Sequence, residues 1–171
     1  MNRLFYAVEK IAYWGGYLSG WLVPGMMVLV ALEVFTRYVL SRPLLLADEF
    51  SAYMLVALSF LGLAYTWRQR GHVRITIVVS RLSKKRAGWI RLGALIAVFL
   101  FVLEMDRSAY KMVVYALQMN MKSSTFLMVP LFWPQMPIFI GFVLLTLLIL
   151  ADILRAARKI RANEDVEDFE Q

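Results

Sequence analysis

Trp67 to Arg91 reads W-R-Q-R-G-H-V-R-I-T-I-V-V-S-R-L-S-K-K-R-A-G-W-I-R and separates two long apolar halves. It holds eight of the nineteen Lys and Arg residues and the single histidine, His72. A stretch this cationic resists transfer across a bilayer, so it marks the cytoplasmic face and orients whatever flanks it. Within it, Val73 to Leu82 sets Ile75, Ile77, Val78, Val79 and Leu82 between Arg74 and Arg81. That pattern suits a basic amphipathic piece lying in the headgroup layer. It equally suits a basic loop whose apolar residues pack under neighbouring helices.

Outward from this hinge the chain is 61% hydrophobic and 18% charged, with a mean hydropathy of +0.64. A soluble domain of 171 residues could not hide so much apolar surface, because over half of a folded surface is apolar already. The sequence therefore describes a polytopic membrane protein. Its net charge of +7 sits beside hydrophobic runs, which is a topology signal rather than a nucleic-acid groove. No cysteine is present, which removes disulfides, thiolate metal sites and cysteine nucleophiles. The start, M-N-R-L-F-Y-A-V-E-K, lacks a small-residue cleavage site after a short apolar core, so the first apolar run reads as a retained helix.

Crossing a bilayer as a helix takes about 20 mainly apolar residues, and four segments qualify. They run from Ile11 to about Phe35, from Asp48 to Trp67, from about Ala87 through the block Leu92–Leu103, and from about Leu131 to Leu154. Pro24-Gly25 is expected to kink the first. An inside N-terminus puts Arg3, Lys10, the eight hinge cations, Arg155, Arg158, Lys159 and Arg161 on the cytoplasmic side, fourteen in all. Only five, Arg37, Arg42, Arg107, Lys111 and Lys122, remain for the other side. The excess places both termini in the cytoplasm. The expected architecture is an all-α integral membrane domain over residues 1–162, with an acidic, disordered tail over 163–171.

The third segment continues helical to about Met121 and carries Glu104, Asp106, Arg107 and Lys111. Glu104, Arg107 and Lys111 share one helical face by their three- and four-residue spacing. The face is expected in the external headgroup layer, where its charges pair and solvate; a sharper reading has it meet another subunit.

Glu33 and Arg37 are spaced i, i+4 with the acid first, the favourable order for a helical ion pair. Arg42-Pro43 turns the chain, and Asp48-Glu49 opens the second helix, where carboxylates suit the exposed N–H groups. Gly62 and Ala64 offer a small-residue face for close helix packing. Arg68, Gly71, His72 and Arg74 follow the helix end, and one histidine can make neither a bis-histidine haem nor a zinc site. Pro130, Trp133, Pro134 and Pro137 precede Gly141 and place the start of the fourth helix. No nucleophile elbow, phosphate loop, zinc helix or dinucleotide fingerprint is present. The residues do not describe an enzyme.

Together these residues resemble the small membrane subunit of tripartite ATP-independent periplasmic (TRAP) transporters, the DctQ type. The resemblance rests on Glu33-Val34-Phe35-Thr36-Arg37-Tyr38, then Pro43 and Asp48-Glu49, then Gly62 and Ala64. It continues through Arg68, Gly71, His72, Val73 and Arg74 to Pro130, Trp133, Pro137 and Gly141. Two positions depart from the family pattern: Leu46-Ala47 lacks an aromatic before the acidic pair, and Thr76 stands where an acid often follows.

The resemblance implies a scaffolding subunit in the bacterial inner membrane, bracing a large multi-helix subunit. A periplasmic binding protein would deliver an organic acid, such as a dicarboxylate or sialic acid, to that large subunit. The sodium gradient would be coupled there, leaving this chain without a cofactor. Faces containing Gly62, Ala64 and Gly141 are expected to contact the large subunit, and Arg37, Arg42, Asp48 and Glu49 to help dock the binding protein. The alternative is a stand-alone four-helix exporter with Glu33 as proton carrier, which the nearby Arg37 opposes. A membrane cytochrome would need more than one histidine.

Overall fold

The computed structural model describes residues 2–69 and 84–162. Gly71, His72, Arg74, the Val73–Leu82 segment and the acidic tail lie outside the described residues. The described residues form helices α1 (Asn2–Tyr38), α2 (Ala47–Arg68), α3 (Lys84–Gln118) and α4 (Phe132–Ala162). All four are long and apolar enough to cross a membrane. In hydrocarbon a chain must satisfy its own backbone N–H and C=O groups, and a helix does so within one segment. The 22 residues of α2 span roughly 33 Å at about 1.5 Å each, close to the ~30 Å of a hydrocarbon core. The other three helices run beyond the expected apolar segments, carrying Pro24 and Pro137 inside α1 and α4.

The end of α3 has a visible cause. Met121 N–H reaches the Ala116 carbonyl at 3.0 Å and Asn120 N–H reaches Leu117 at 3.3 Å, with Asn120 at φ 46°. This is the left-handed cap that closes a helix through its orphan carbonyls, and Asn tolerates that backbone better than most residues. The connection to α4 then folds back as a small hairpin. Ser123 N–H bonds Val129 O at 2.8 Å and Leu131 N–H bonds Met121 O at 2.9 Å.

Helices α2 and α4 pack together at the centre; α1 lies on α2 with a lesser seam on α4, and α3 packs on α4. The interior is built from small residues: Ala12, Ala47, Ala64, Ala109, Ala116, Ala151 and Ala156 are buried, and Ile149 is the largest side chain fully enclosed. Lipid removes the hydrophobic drive between helices, so close approach over small residues and polar pairs holds them instead. One cluster joins Val8 and Ala12 of α1, Ala64 of α2, and Leu144 and Leu148 of α4. A second joins Val102 of α3 to Leu145 and Ile149 of α4. Large apolar side chains such as Trp21, Met27, Phe101 and Leu55 cover the outside, as suits a chain whose solvent there is lipid.

Candidate functional site

Each end of the bundle is tied by a polar cluster, and the two clusters assign every helix its depth. At the first, Glu9 of α1 meets Arg155 of α4 at 2.5 Å and Arg68 of α2 at 3.3 Å. Arg155 lies 3.5 Å from Asp152, and the Trp67 indole N–H donates to the Asp152 carboxylate at 3.0 Å. The start of α1 and the ends of α2 and α4 therefore share one side, here termed the terminal side. One carboxylate between two guanidiniums on different helices joins all three by charge-assisted bonds. Arg68 was among the sequence candidates; Glu9, Asp152 and Arg155 were not. Glu9 and Arg155 are 146 residues apart in sequence and Trp67 and Asp152 are 85 apart, beyond any local spacing rule; only Asp152 with Arg155, at i, i+3, falls within one.

At the far side, Glu49 is 6% exposed. The Tyr53 and Thr125 hydroxyls donate to its two carboxylate oxygens, and Thr125 pairs with Ser123 at 2.7 Å. Glu49 does sit in the first turn of α2 beside Asp48. Its carboxylate, however, holds the α3–α4 hairpin rather than capping its own helix, and Leu46 at the N-cap supplies no side-chain bond. Tyr53, four residues on, was legible as a helical partner; Thr125 was not.

The Glu33–Arg37 pair forms as its spacing predicts. Both Arg37 Nη2 and Nε donate to Glu33 Oε1, at 2.8 and 3.2 Å. Glu33 is 5% exposed and its other oxygen, Oε2, is buried without a hydrogen bond. Asp48 lies within electrostatic reach of Arg37. Arg42, Pro43, Asp48 and Trp133 are exposed, while Pro130 bridges to Lys122 in the hairpin.

The small-residue faces expected to meet a partner are occupied within the chain. A Cβ on Gly141 would run into the Phe60 carbonyl of α2. Ala64 has no exposed surface and sits in the core shared by α1, α2 and α4. Gly62 faces Ser19 of α1, whose Oγ lies 3.5 Å from where a Cβ would be. Across each of these small residues the neighbour is another helix of the same chain, as close backbone approach over small side chains allows.

Of the α3 charges from Glu104 to Lys111, Asp106 alone faces inward, while Glu104, Arg107 and Lys111 are exposed. Asp106 turns toward α4 and accepts from the Thr146 hydroxyl. Val102 packs with Leu145 and Ile149, and Tyr110 meets Phe139 with ring centroids 5.9 Å apart. These contacts run α3 antiparallel to α4 and put Asp106 level with the middle of α4. A groove of about 400 Å³ between α1 and α2 is lined by Tyr13, Gly16, Tyr17, Gly20, Trp21, Pro24 and Tyr65. Among the described residues, no basic side chain lines it.

Residues 26–159 match the family of tripartite ATP-independent periplasmic transporters, DctQ component. The chain belongs to the DctQ family. A similar protein of Haemophilus influenzae is called "Putative TRAP transporter small permease protein" and is 33% identical over 57 residues. That match takes in 33% of this chain and 35% of the relative, so it carries less than the family match does. DctQ proteins are transporter subunits, not enzymes. The family generally works with a large subunit and a substrate-binding protein. With four candidate spans, this DctQ chain is a multi-pass membrane protein.

Proposed function

We propose that this DctQ chain is the small scaffolding subunit of a TRAP secondary transporter in a bacterial inner membrane. It braces a large membrane subunit that imports an organic acid, such as a dicarboxylate or sialic acid, on a sodium gradient. A periplasmic binding protein delivers the solute, and exposed Arg42 and Asp48 belong to the surface that receives it. The chain carries no cofactor of its own, sodium coupling residing in the large subunit. Its terminal side is cytoplasmic, in keeping with the excess of Lys and Arg there.

One observation carries this reading. Three acids that tie helices together are engaged by side chains of the same chain, Glu9 by Arg68 and Arg155, Glu49 by Thr125 and Asp106 by Thr146, and Glu33 is held within α1 by Arg37. Intramembrane acids in a solute or proton pathway stand in cavities or face moving partners; acids that lock helices together make a stiff body. Stiffness is what a brace contributes to a transporter whose other part moves.

Reconstitution tests the proposal. Proteoliposomes holding this chain and the large subunit, supplied with the binding protein and a labelled dicarboxylate or sialic acid, should accumulate it on a sodium gradient. Omitting this chain should abolish uptake. Gradient-driven transport by this chain alone would overturn the scaffold reading.

A further inference from the structure

The geometry points to a protein-docking stripe on α3, formed by Glu104, Arg107 and Lys111, that receives a helix of the large subunit bearing a carboxylate opposite Lys111. This rests on the function proposed above and adds which surface is used and what chemistry it takes.

One side of α3 is spent on α4: Val102, Ala109, Val113 and Ala116 are buried and Asp106 is bonded to Thr146. At about 100° per residue, Glu104, Arg107 and Lys111 fall on the opposite side, with Ser108 and Tyr115. All five are exposed, and the Glu104 and Arg107 side chains are each 66% exposed. The stripe therefore points away from the rest of the chain.

Its depth follows from the two clusters. Trp67 to Asp152 marks one level and Glu49 to Thr125 the other. Asp106 lies between them, level with Thr146 inside the apolar run Ile138–Leu150 of α4. Glu104, Arg107 and Lys111 are within five residues of Asp106 along α3, so they sit at hydrocarbon depth. Charged side chains at that depth face protein or water, not lipid.

Among the described residues no second wall stands opposite the stripe to enclose a water-filled cleft. A second copy related by a two-fold axis along the membrane normal keeps every residue at its own depth, and would bring Lys111 toward Lys111. Another membrane protein remains. The Glu104–Arg107 pair, at 3.5 Å, balances itself. Lys111 has no ion pair among the described residues, so the stripe is left with one positive charge and is complementary to a carboxylate.

This chain has no cysteine, so Ser108→Cys gives it a single attachment point, and the complex with the unsubstituted chain is the control for labelling of the large subunit. Benzophenone attached to Ser108→Cys in the co-expressed complex should photo-crosslink to the large subunit. Arg107→Leu with Lys111→Leu should cut recovery of the large subunit at least tenfold while leaving the melting temperature of the isolated chain unchanged or raised. Adducts between two copies of the chain, adducts to lipid alone, or undiminished recovery with the double variant would overturn the stripe and leave the scaffold function standing. Failure of the wild-type chain to recover the large subunit would overturn both.

Discussion

Gly141 and Gly20 show what a single Cβ decides. At Gly141 it would meet the Phe60 backbone, whereas at Gly20 it meets nothing within 4 Å. Backbone cannot step aside as a side-chain tip can, so Gly141→Ala should force α2 and α4 apart and cost about 1–3 kcal/mol. Gly20→Ala should be neutral or stabilise by up to about 1 kcal/mol, through the lower conformational entropy of the unfolded chain. Melting of both purified variants in the same detergent should give shifts of opposite sign, or a loss for Gly141→Ala alone. Trp67→Phe keeps the ring but removes the N–H that reaches Asp152 at 3.0 Å. Loss of a bond to a charged acceptor should cost about 1.5–3 kcal/mol, read from the same melting curves.

Between helices, the two polar clusters carry different weights. Glu9 and its two arginines are 21% to 48% exposed, so water and salt screen them. Glu9→Gln should cost only about 1 kcal/mol or less, and the loss should shrink as ionic strength rises. A double-mutant cycle with Arg155→Gln at low and high salt would check both size and trend. Glu49 is 6% exposed, and its loss removes the acceptor of the Tyr53 hydroxyl and the tie from α2 to Thr125, which keeps Ser123 as a partner. Glu49→Leu should therefore lower the melting temperature more than Glu9→Gln does and release the α3–α4 hairpin. Faster hydrogen exchange confined to residues 119–131 would report that release; unchanged protection would show that the hairpin holds itself.

For the whole molecule, the charge asymmetry sharpens once depth is known. If the α3 stripe lies alongside the apolar length of α4 as proposed, Arg107 and Lys111 leave the count, and Arg37, Arg42 and Lys122 remain for the far side against the fourteen cations that the sequence assigns to the other. The terminal side should be cytoplasmic. A fluorescent protein fused after Gln171 should fold and fluoresce, and alkaline phosphatase inserted at Ser124 should be active. The reverse pattern would invert the topology and place the proposed binding-protein surface in the wrong compartment.

The number of spans, their order, the Glu33–Arg37 pair and the family were legible in the sequence because each depends on local quantities. Those are the length of an apolar run, a four-residue spacing, and cations beside a hydrophobic segment. Glu49 and Gly141 were legible as notable but not in what they do. Their partners, Thr125 and Phe60, are brought near only by the packing of α2 against α4 and its preceding hairpin. The same holds for Glu9 between Arg68 and Arg155, and for Asp106, which turns inward while Glu104 and Arg107, on the same helix, turn out. In lipid almost any face of an apolar helix is tolerable. Which face is buried is therefore settled by short-range fit between helices distant in sequence, and only the tertiary structure decides it.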